Sequence, residues 1–168
     1  MKNGYYYGTL KVHPSKEDQI PMKSIHILLI EDNEGDILLT KEAFEDAKIL
    51  NQLSIARDGQ QAIQFLEKKE PFEEVETPDL ILLDVNLPKK NGHEVLQYIK
   101  GSKEFKHIPV IMLTTSVSEK DIARSYENYA NCYITKPVEV EDFLNVISSV
   151  EDFWIKIVQL PNKHAING

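Results

Sequence analysis

Short apolar runs alternate with longer amphipathic stretches along most of the chain. Five runs rich in Leu, Ile and Val predict β-strands at 25–30, 52–56, 79–83, 108–113 and 131–135. Five segments with apolar residues at helical spacing predict α-helices at 35–48, 60–69, 91–100, 119–128 and 139–158. Ser116 and Ser118 are each followed three residues later by an acid, which is the pattern of a helix N-terminal capping box.

The regular alternation of strand and helix predicts an α/β fold. Strands that are apolar on both faces belong in a parallel sheet, and right-handed crossovers place helices on both sides of it. We expect a flavodoxin-like, doubly wound (βα)5 domain with a five-stranded parallel sheet in the order 2-1-3-4-5. Residues 24–153 are expected to form this domain, residues 1–23 an N-terminal tail, and residues 154–168 a C-terminal helix extension and tail.

Composition narrows the classes of function. The chain has 168 residues, of which 42% are hydrophobic and 27% charged, as in an ordinary globular domain. Its formal net charge of -8 disfavours nucleic acid as a partner. The apolar runs are too short to cross a bilayer, and Cys132 has no second cysteine to pair with. With no secretory leader at the start, a cytoplasmic protein is expected.

Polar residues stand where the predicted strands end, which is where ligands bind in this fold class. They are Glu31 and Asp32 after the first strand, Asp84 and Asn86 after the third, Thr114 after the fourth and Lys136 after the fifth. Strands one and three are neighbours in the expected order, so the three acids would repel one another. Two carboxylates about 4 Å apart cost about 4 kcal/mol at an effective dielectric near 20, so a cation is needed. Oxygen ligands alone favour Mg²⁺.

These residues suit transfer of a phosphoryl group. Asp84, open to solvent, would attack as a carboxylate nucleophile and form an acyl phosphate, while Lys136 and Thr114 contact other phosphate oxygens. Taken singly, each residue has a plainer interpretation. An acid after a strand is commonly a helix cap, Lys136 could be an exposed turn residue, and Thr114 could be a strand former. Their joint position favours the site.

Five motifs stand in register along residues 25–153. They are Glu31-Asp32-Asn33, Ala56-Arg57-Asp58-Gly59, Asp84-Val85-Asn86-Leu87-Pro88 with Gly92, Pro109 leading into Thr114, and Tyr133 with Lys136-Pro137. In order and spacing they resemble the CheY-like receiver domains of two-component response regulators. The resemblance implies a signalling protein and not an enzyme, because its only chemistry is its own phosphorylation and dephosphorylation.

The resemblance also assigns roles to the site residues. Asp84 would be phosphorylated by a sensor histidine kinase, and Mg²⁺ would be bound by Asp32, Asp84 and the carbonyl of Asn86, with Glu31 acting through water. Glu31 stands where the family commonly has Asp, and its extra methylene is expected to shift the carboxylate outward. Thr114 and Lys136 would engage the phosphate. Tyr133 would be the aromatic switch that turns inward toward Thr114, although a packing aromatic is the alternative.

Further segments resemble the phytochrome-coupled, single-domain response regulators. They are Glu31-Asp32-Asn33-Glu34-Gly35-Asp36, Ser125-Tyr126, the run from Ala130 to Pro137, and Phe153-Trp154. This narrower likeness implies a phytochrome histidine kinase as the phosphoryl donor. Because no DNA-binding segment or second catalytic domain follows residue 158, the output is expected to pass through protein contacts.

The last predicted helix is long for such a domain. Its apolar residues recur at helical spacing as far as Val158, and at 1.5 Å per residue it would reach roughly 28 Å. We expect the Trp154–Val158 turn to project and to form a homodimer. The alternative is that this extension folds back over its own domain.

Two other functions stay open. One is a receiver-like interaction module that works without phosphorylation. The other is a Mg²⁺-dependent phosphohydrolase of the haloacid dehalogenase type, which also forms an aspartyl phosphate. That class normally carries its nucleophile after the first strand in an Asp-x-Asp pattern, whereas here Glu31-Asp32 is followed by Asn33.

Overall fold

One parallel sheet organises the chain. The computed structural model describes residues 25–46 and 51–161. Its strands are β1 (Ile25–Ile30), β2 (Asn51–Ala56), β3 (Leu80–Leu83), β4 (Val110–Thr114) and β5 (Cys132–Thr135), in the order β2-β1-β3-β4-β5. The predicted fold class and strand order are therefore confirmed. The predicted tail at 1–23 lies outside the described residues, and the predicted domain bounds stay a prediction.

Five α-helices connect and follow the strands. They are α1 (Glu34–Asp46), α2 (Gly59–Leu66), α3 (Gly92–Gly101), α4 (Glu119–Glu127) and α5 (Val140–Glu151), and α5 continues as a π-helical segment at Asp152–Ile157. Residues 67–78 form a charged loop between α2 and β3. Within the described ranges, none of these helices combines the length and apolar character that a bilayer span requires.

The helix starts follow from short polar side chains. Asp58 caps α2 by accepting a hydrogen bond from the amide of Gln61 at 2.7 Å. Asn91 and Glu94 form a reciprocal capping box on α3. Of the two serines with a capping pattern, Ser118 caps α4. Ser116 does not act as a cap, because it lies two residues further from the helix.

Two apolar layers cover the two faces of the sheet. Leu28 and Ile30 of β1 point to the layer formed with α2 and α3, while Ile27 and Leu29 point to the layer formed with α1 and α5. All residues of β1, β3 and β4 are buried. Burial of each large aliphatic side chain stabilises the fold by about 1.5–3 kcal/mol, so the central strands form a rigid base for the loops at their ends.

The C-terminal extension both packs on the core and leaves apolar surface. Trp154, Ile155 and Leu160 contact the layer beside α1 and α5. Phe153 and Ile157 are 51% and 70% exposed. The extension therefore covers part of its own domain, as the alternative interpretation held, and still presents two large apolar side chains to solvent.

Candidate functional site

Three acids meet at the carboxyl ends of β1 and β3. These strands pair in parallel with Ile30 opposite Leu83, so the residues that follow each strand become neighbours. Each of Glu31, Asp32 and Asp84 offers a carboxylate oxygen within 4.8 Å of the others. The structure thus places side by side the three acids that the sequence predicted as a metal site.

Lys136 lies at the centre of the acidic cluster. Its backbone amide donates to the carbonyl of Thr114 at 2.8 Å, which fixes its position at the end of β5. Its ammonium group donates to the carboxylate of Glu31, to Asp36 at 2.9 Å and to Asp84 at 3.0 Å. Burial alone would lower the pKa of Lys136, but Asp84 and Glu31 outweigh this effect and raise it. The lysine therefore stays charged.

Glu31 turns toward the interior. Its carboxylate accepts hydrogen bonds from Lys136 and, at 3.0 Å, from the amide of Asn33, and the residue is buried. Burial raises the pKa of Glu31 even though Lys136 acts in the opposite direction. The expected outward shift of this carboxylate was wrong, because the extra methylene lets it reach the buried ammonium group.

Asp84 is enclosed and not open to solvent. Its side chain is 7% exposed, with one oxygen bonded to Lys136 and the other accepting from the amide of Asn86 at 3.1 Å. The expectation of an open carboxylate was wrong, because Lys136 lies against it. Gly92 packs on the Asp84 backbone, and a Cβ atom there would lie 2.0 Å from the Asp84 carbonyl oxygen. Only glycine fits at this close approach.

Asp32 and Asn86 form the exposed rim of the cluster. The donors are all oxygen atoms, which hard divalent ions such as Mg²⁺ prefer, and the exposed Asp32 gives a hydrated ion access. Three carboxylates that share one ammonium group carry excess negative charge. The residues present therefore fit a divalent cation.

Thr114 and Tyr133 both bond to Ser116 in the loop that follows β4. The fully buried Thr114 hydroxyl oxygen accepts from the Ser116 amide at 3.3 Å. The Tyr133 hydroxyl donates to the Ser116 carbonyl at 2.9 Å, and its half-buried ring packs against the core. Burial raises the pKa of Tyr133. The ring thus has a packing role and also points inward to the loop.

Two features of the site were not predicted. Asp36, in the first turn of α1, contacts Lys136, and its only signal in the sequence was its place in the acidic run after β1. A second feature links His93 of α3 to Asp121 of α4 at 3.2 Å, and the Ser116 hydroxyl donates to the same carboxylate at 2.6 Å. The bond from Ser116, and after it the one from His93, lower the pKa of Asp121.

Comparison with known proteins finds one family over most of the chain. A family model described as "response regulator receiver domain" matches residues 27–148. Response regulator Rcp1 from Synechocystis sp. is 44% identical over 135 residues, which span 80% of this chain and 92% of that protein.

Solved structures agree in both fold and length. The Mn²⁺-bound form of Rcp1 superposes with a TM-score of 0.80 at 43% identity, covering 82% of this chain and 99% of that one. The phosphorylated cyanobacterial phytochrome response regulator RcpA gives a TM-score of 0.81 at 40% identity, covering 83% of this chain and all of that one, 100%. The resemblance predicted from the motifs, including its phytochrome-associated branch, is confirmed at the level of relatives.

Proposed function

The chain belongs to the response regulator receiver family, and from this premise we propose that Asp84 accepts a phosphoryl group from a sensor histidine kinase. The observation that carries the proposal is the contact of the Lys136 ammonium group with Asp84 at 3.0 Å, beside Glu31 and Asp32. An ammonium group held charged at that distance can pair with a phosphoryl oxygen once Asp84 is modified.

The proposed step is an in-line displacement. An Asp84 carboxylate oxygen attacks the phosphorus of the donor phosphohistidine, the P–N bond breaks, and an acyl phosphate forms while the imidazole leaves. The Lys136 ammonium group then contacts a phosphoryl oxygen in place of the Asp84 carboxylate. The Thr114 hydroxyl turns to donate to another phosphoryl oxygen, and phosphorylation favours the inward position of Tyr133 against the loop over an outward one. Hydrolysis of the acyl phosphate returns the carboxylate, so the chain acts on itself and on no separate substrate.

Glu31, Asp32, Asp84 and the Asn86 carbonyl would hold Mg²⁺, with Glu31 acting through water. When bound, the ion would neutralise charge on the phosphoryl group during transfer. Support comes from the oxygen donor set of this chain and from a relative whose structure is that of a Mn²⁺-bound form. Because Glu31 is already paired with Lys136, Asp32 is the acid most available to the ion.

The proposed donor is a phytochrome histidine kinase in the cytoplasm. This step rests on the relatives, since RcpA is a phytochrome response regulator. The proposed output is a change in protein contacts that includes a homodimer through the last helix region. The exposed side chains of Phe153 and Ile157, next to the half-buried Trp154, supply an apolar face for it.

Phosphorylation is tested with acetyl phosphate and Mg²⁺, followed by intact mass. We expect an adduct of about 80 Da, the mass of one phosphoryl group. It should be absent from Asp84→Asn and present in the matched control Asp58→Asn, which alters a buried helix-capping Asp outside the cluster. An adduct that survives Asp84→Asn would refute the assignment. No adduct would favour the phosphorylation-independent module, and rapid turnover of many phosphoesters would favour the phosphohydrolase.

The dimer is tested by sedimentation with and without beryllofluoride, a phosphoryl mimic. The paired change Phe153→Ser and Ile157→Ser is expected to give a monomer. Val138→Ser is the matched control, because Val138 is 95% exposed but lies before α5. A monomeric wild-type protein under both conditions, or equal loss of dimer in the control, would contradict the proposed interface.

A further inference from the structure

Three buried or half-buried groups connect α3 to the loop after β4. The His93 ring nitrogen Nε2 lies 3.2 Å from one carboxylate oxygen of Asp121, and the Ser116 hydroxyl donates to the other at 2.6 Å. Asp121 also stands in the first turn of α4, where its amide bonds to the Ser118 hydroxyl at 3.4 Å. The carboxylate thus joins two helices and one loop.

A histidine at position 93 destabilises the core in which it lies. Its side chain is 3% exposed, and within the described part of the chain its Nδ1 atom has no hydrogen-bond partner. A buried polar atom without a partner costs about 1–3 kcal/mol, whereas an aliphatic side chain would fill the same space without that cost. Among the residues that the structure describes, Asp121 is the side chain to which the His93 ring makes a hydrogen bond.

Ser116 connects the contacts of His93 and Asp121 to the switch residues Thr114 and Tyr133. Its amide donates to the Thr114 hydroxyl oxygen at 3.3 Å, and its carbonyl accepts from the Tyr133 hydroxyl at 2.9 Å. Its own hydroxyl is bound by Asp121. A group that fixes the position of Ser116 therefore also fixes the partners of both Thr114 and Tyr133.

We propose that His93 is a positioning residue of the phosphoryl switch, acting through Asp121 to hold Ser116 where its carbonyl receives the inward Tyr133. This inference rests on the proposed function of Asp84. His93 lies between the loop after β3 and the loop after β4, because its neighbour Gly92 packs on the Asp84 carbonyl. It can therefore couple the positions of the two loops. The family resemblance implies that phosphorylation favours the inward tyrosine, so loss of the link, which releases Tyr133 from the loop, weakens binding of a phosphoryl mimic.

The test is a beryllofluoride titration in the presence of Mg²⁺, followed by the NMR signals of the Ser116 amide and the Tyr133 ring. The beryllofluoride concentration at half-saturation is expected to rise about three- to tenfold in His93→Leu, the range for loss of one ordinary intramolecular hydrogen bond. The Tyr133 ring signal should move away from its inward position. His93→Gln, which keeps an N–H donor near the position of Nε2, should stay within about twofold of the wild type.

A double-mutant cycle separates positioning from a general loss of packing. In the Tyr133→Phe background the hydroxyl contact is gone, so His93→Leu should cause little further change. Ser125→Ala is the matched control, because its buried hydroxyl donates to the Asp121 backbone carbonyl on the same helix, and it should not move the half-saturation point. If His93→Leu fails to fold, the half-buried Ser116→Ala variant removes the same link and should reproduce the shift.

Additive effects of His93→Leu and Tyr133→Phe, or an unchanged half-saturation point in His93→Leu, would overturn the inference and leave the proposed function standing. Failure of the wild-type protein itself to bind beryllofluoride at Asp84 would overturn both. If the half-saturation point shifts in His93→Gln as much as in His93→Leu, His93 acts through core packing, and the positioning role is likewise rejected.

Discussion

Two lysines, the buried Lys136 and the half-buried Lys100, lie at opposite ends of the sheet and have opposite surroundings. At the carboxyl ends of the strands, the Lys136 ammonium group contacts three carboxylates. At the amino ends, the Lys100 ammonium group donates only to neutral oxygens, with no carboxylate within ion-pair distance among residues 25–46 and 51–161. Those oxygens are the Ile108 carbonyl at 2.7 Å, the Asn131 side chain at 3.1 Å and the Lys106 carbonyl at 3.3 Å.

The difference shows in the pKa values of the two lysines. Burial lowers the pKa of Lys100 to about 8. Burial acts in the same direction on Lys136, but Asp84 and Glu31 reverse the outcome and raise its pKa. Neutral oxygens accept hydrogen bonds from a buried ammonium group but do not offset the free energy that its charge loses on leaving water. Carboxylates offset this loss because they carry the opposite charge. The site lysine is thereby kept charged at any physiological pH, as the proposed phosphoryl contact requires.

The largest expected effect comes from removing the charge at the carboxyl end. Lys136→Met leaves Glu31 and Asp84 buried without a cation, so we expect the free energy of unfolding to fall by about 3 kcal/mol without metal. Urea unfolding in a chelating buffer measures this loss. Lys100→Met is the control and should lose less than about 1 kcal/mol, since the hydrogen bonds to neutral oxygens disappear together with the cost of burying the charge. Equal losses in the two variants would contradict the comparison.

Mg²⁺ sharpens the same experiment. A ligand that binds only the folded state stabilises it by mass action. Mg²⁺ is expected to stabilise the fold most in the variant from which the Lys136 ammonium group has been removed. The added stability in saturating Mg²⁺ should therefore be larger for Lys136→Met than for the wild type. For Lys100→Met, whose site holds no acids, it should equal the wild-type value.

The second expected effect is a pH dependence at the amino end. The pKa of Lys100 is about 8 in the folded state against an ordinary value of 10.5, so the unfolded chain binds more protons between these values. Stability contributed by Lys100 therefore rises as pH increases from about 8 to about 10.5, by roughly 1–2 kcal/mol after allowance for solvent access. The difference in unfolding free energy between wild type and Lys100→Met should show this slope, and a flat difference would refute it.

The contrast also explains what the sequence could predict. Parallel pairing of β1 with β3 brings Glu31, Asp32 and Asp84 together whatever their rotamers, so the acidic cluster follows from strand order. The inward turn of Glu31 and the enclosure of Asp84 depend on how far Lys136 reaches across the sheet, which no local pattern encodes. The contacts of Lys100 with Asn131 and of His93 with Asp121 join residues 31 and 28 positions apart. No hydrophobic periodicity or run of charged residues in the sequence predicts either contact.

A third, smaller effect concerns the reach of one acid. Glu31→Asp withdraws the carboxylate from Lys136 and frees it for the metal, so we expect Mg²⁺ affinity to rise about three- to tenfold, near 1 kcal/mol. Glu31→Gln keeps the length but loses the charge, and should weaken Mg²⁺ binding instead. Titration of the Asn86 amide signal with Mg²⁺ measures both. A fall in Mg²⁺ affinity for Glu31→Asp, or a rise for Glu31→Gln, would contradict this account.

The smallest effect is expected at the outer contact of Lys136. Asp36→Asn keeps an oxygen that can accept from the ammonium group, so only the charge is lost, and the side chain is 27% exposed. We expect a loss of less than about 1 kcal/mol, and a smaller loss at about 0.5 M salt than at about 0.05 M, because exposed charges are screened. Glu34→Gln, which breaks the exposed pair with Arg57, is the control and should show no measurable change. A loss as large as that of Lys136→Met would place Asp36 among the inner acids, and the contrast between the two lysines would then rest on three equivalent carboxylates instead of two.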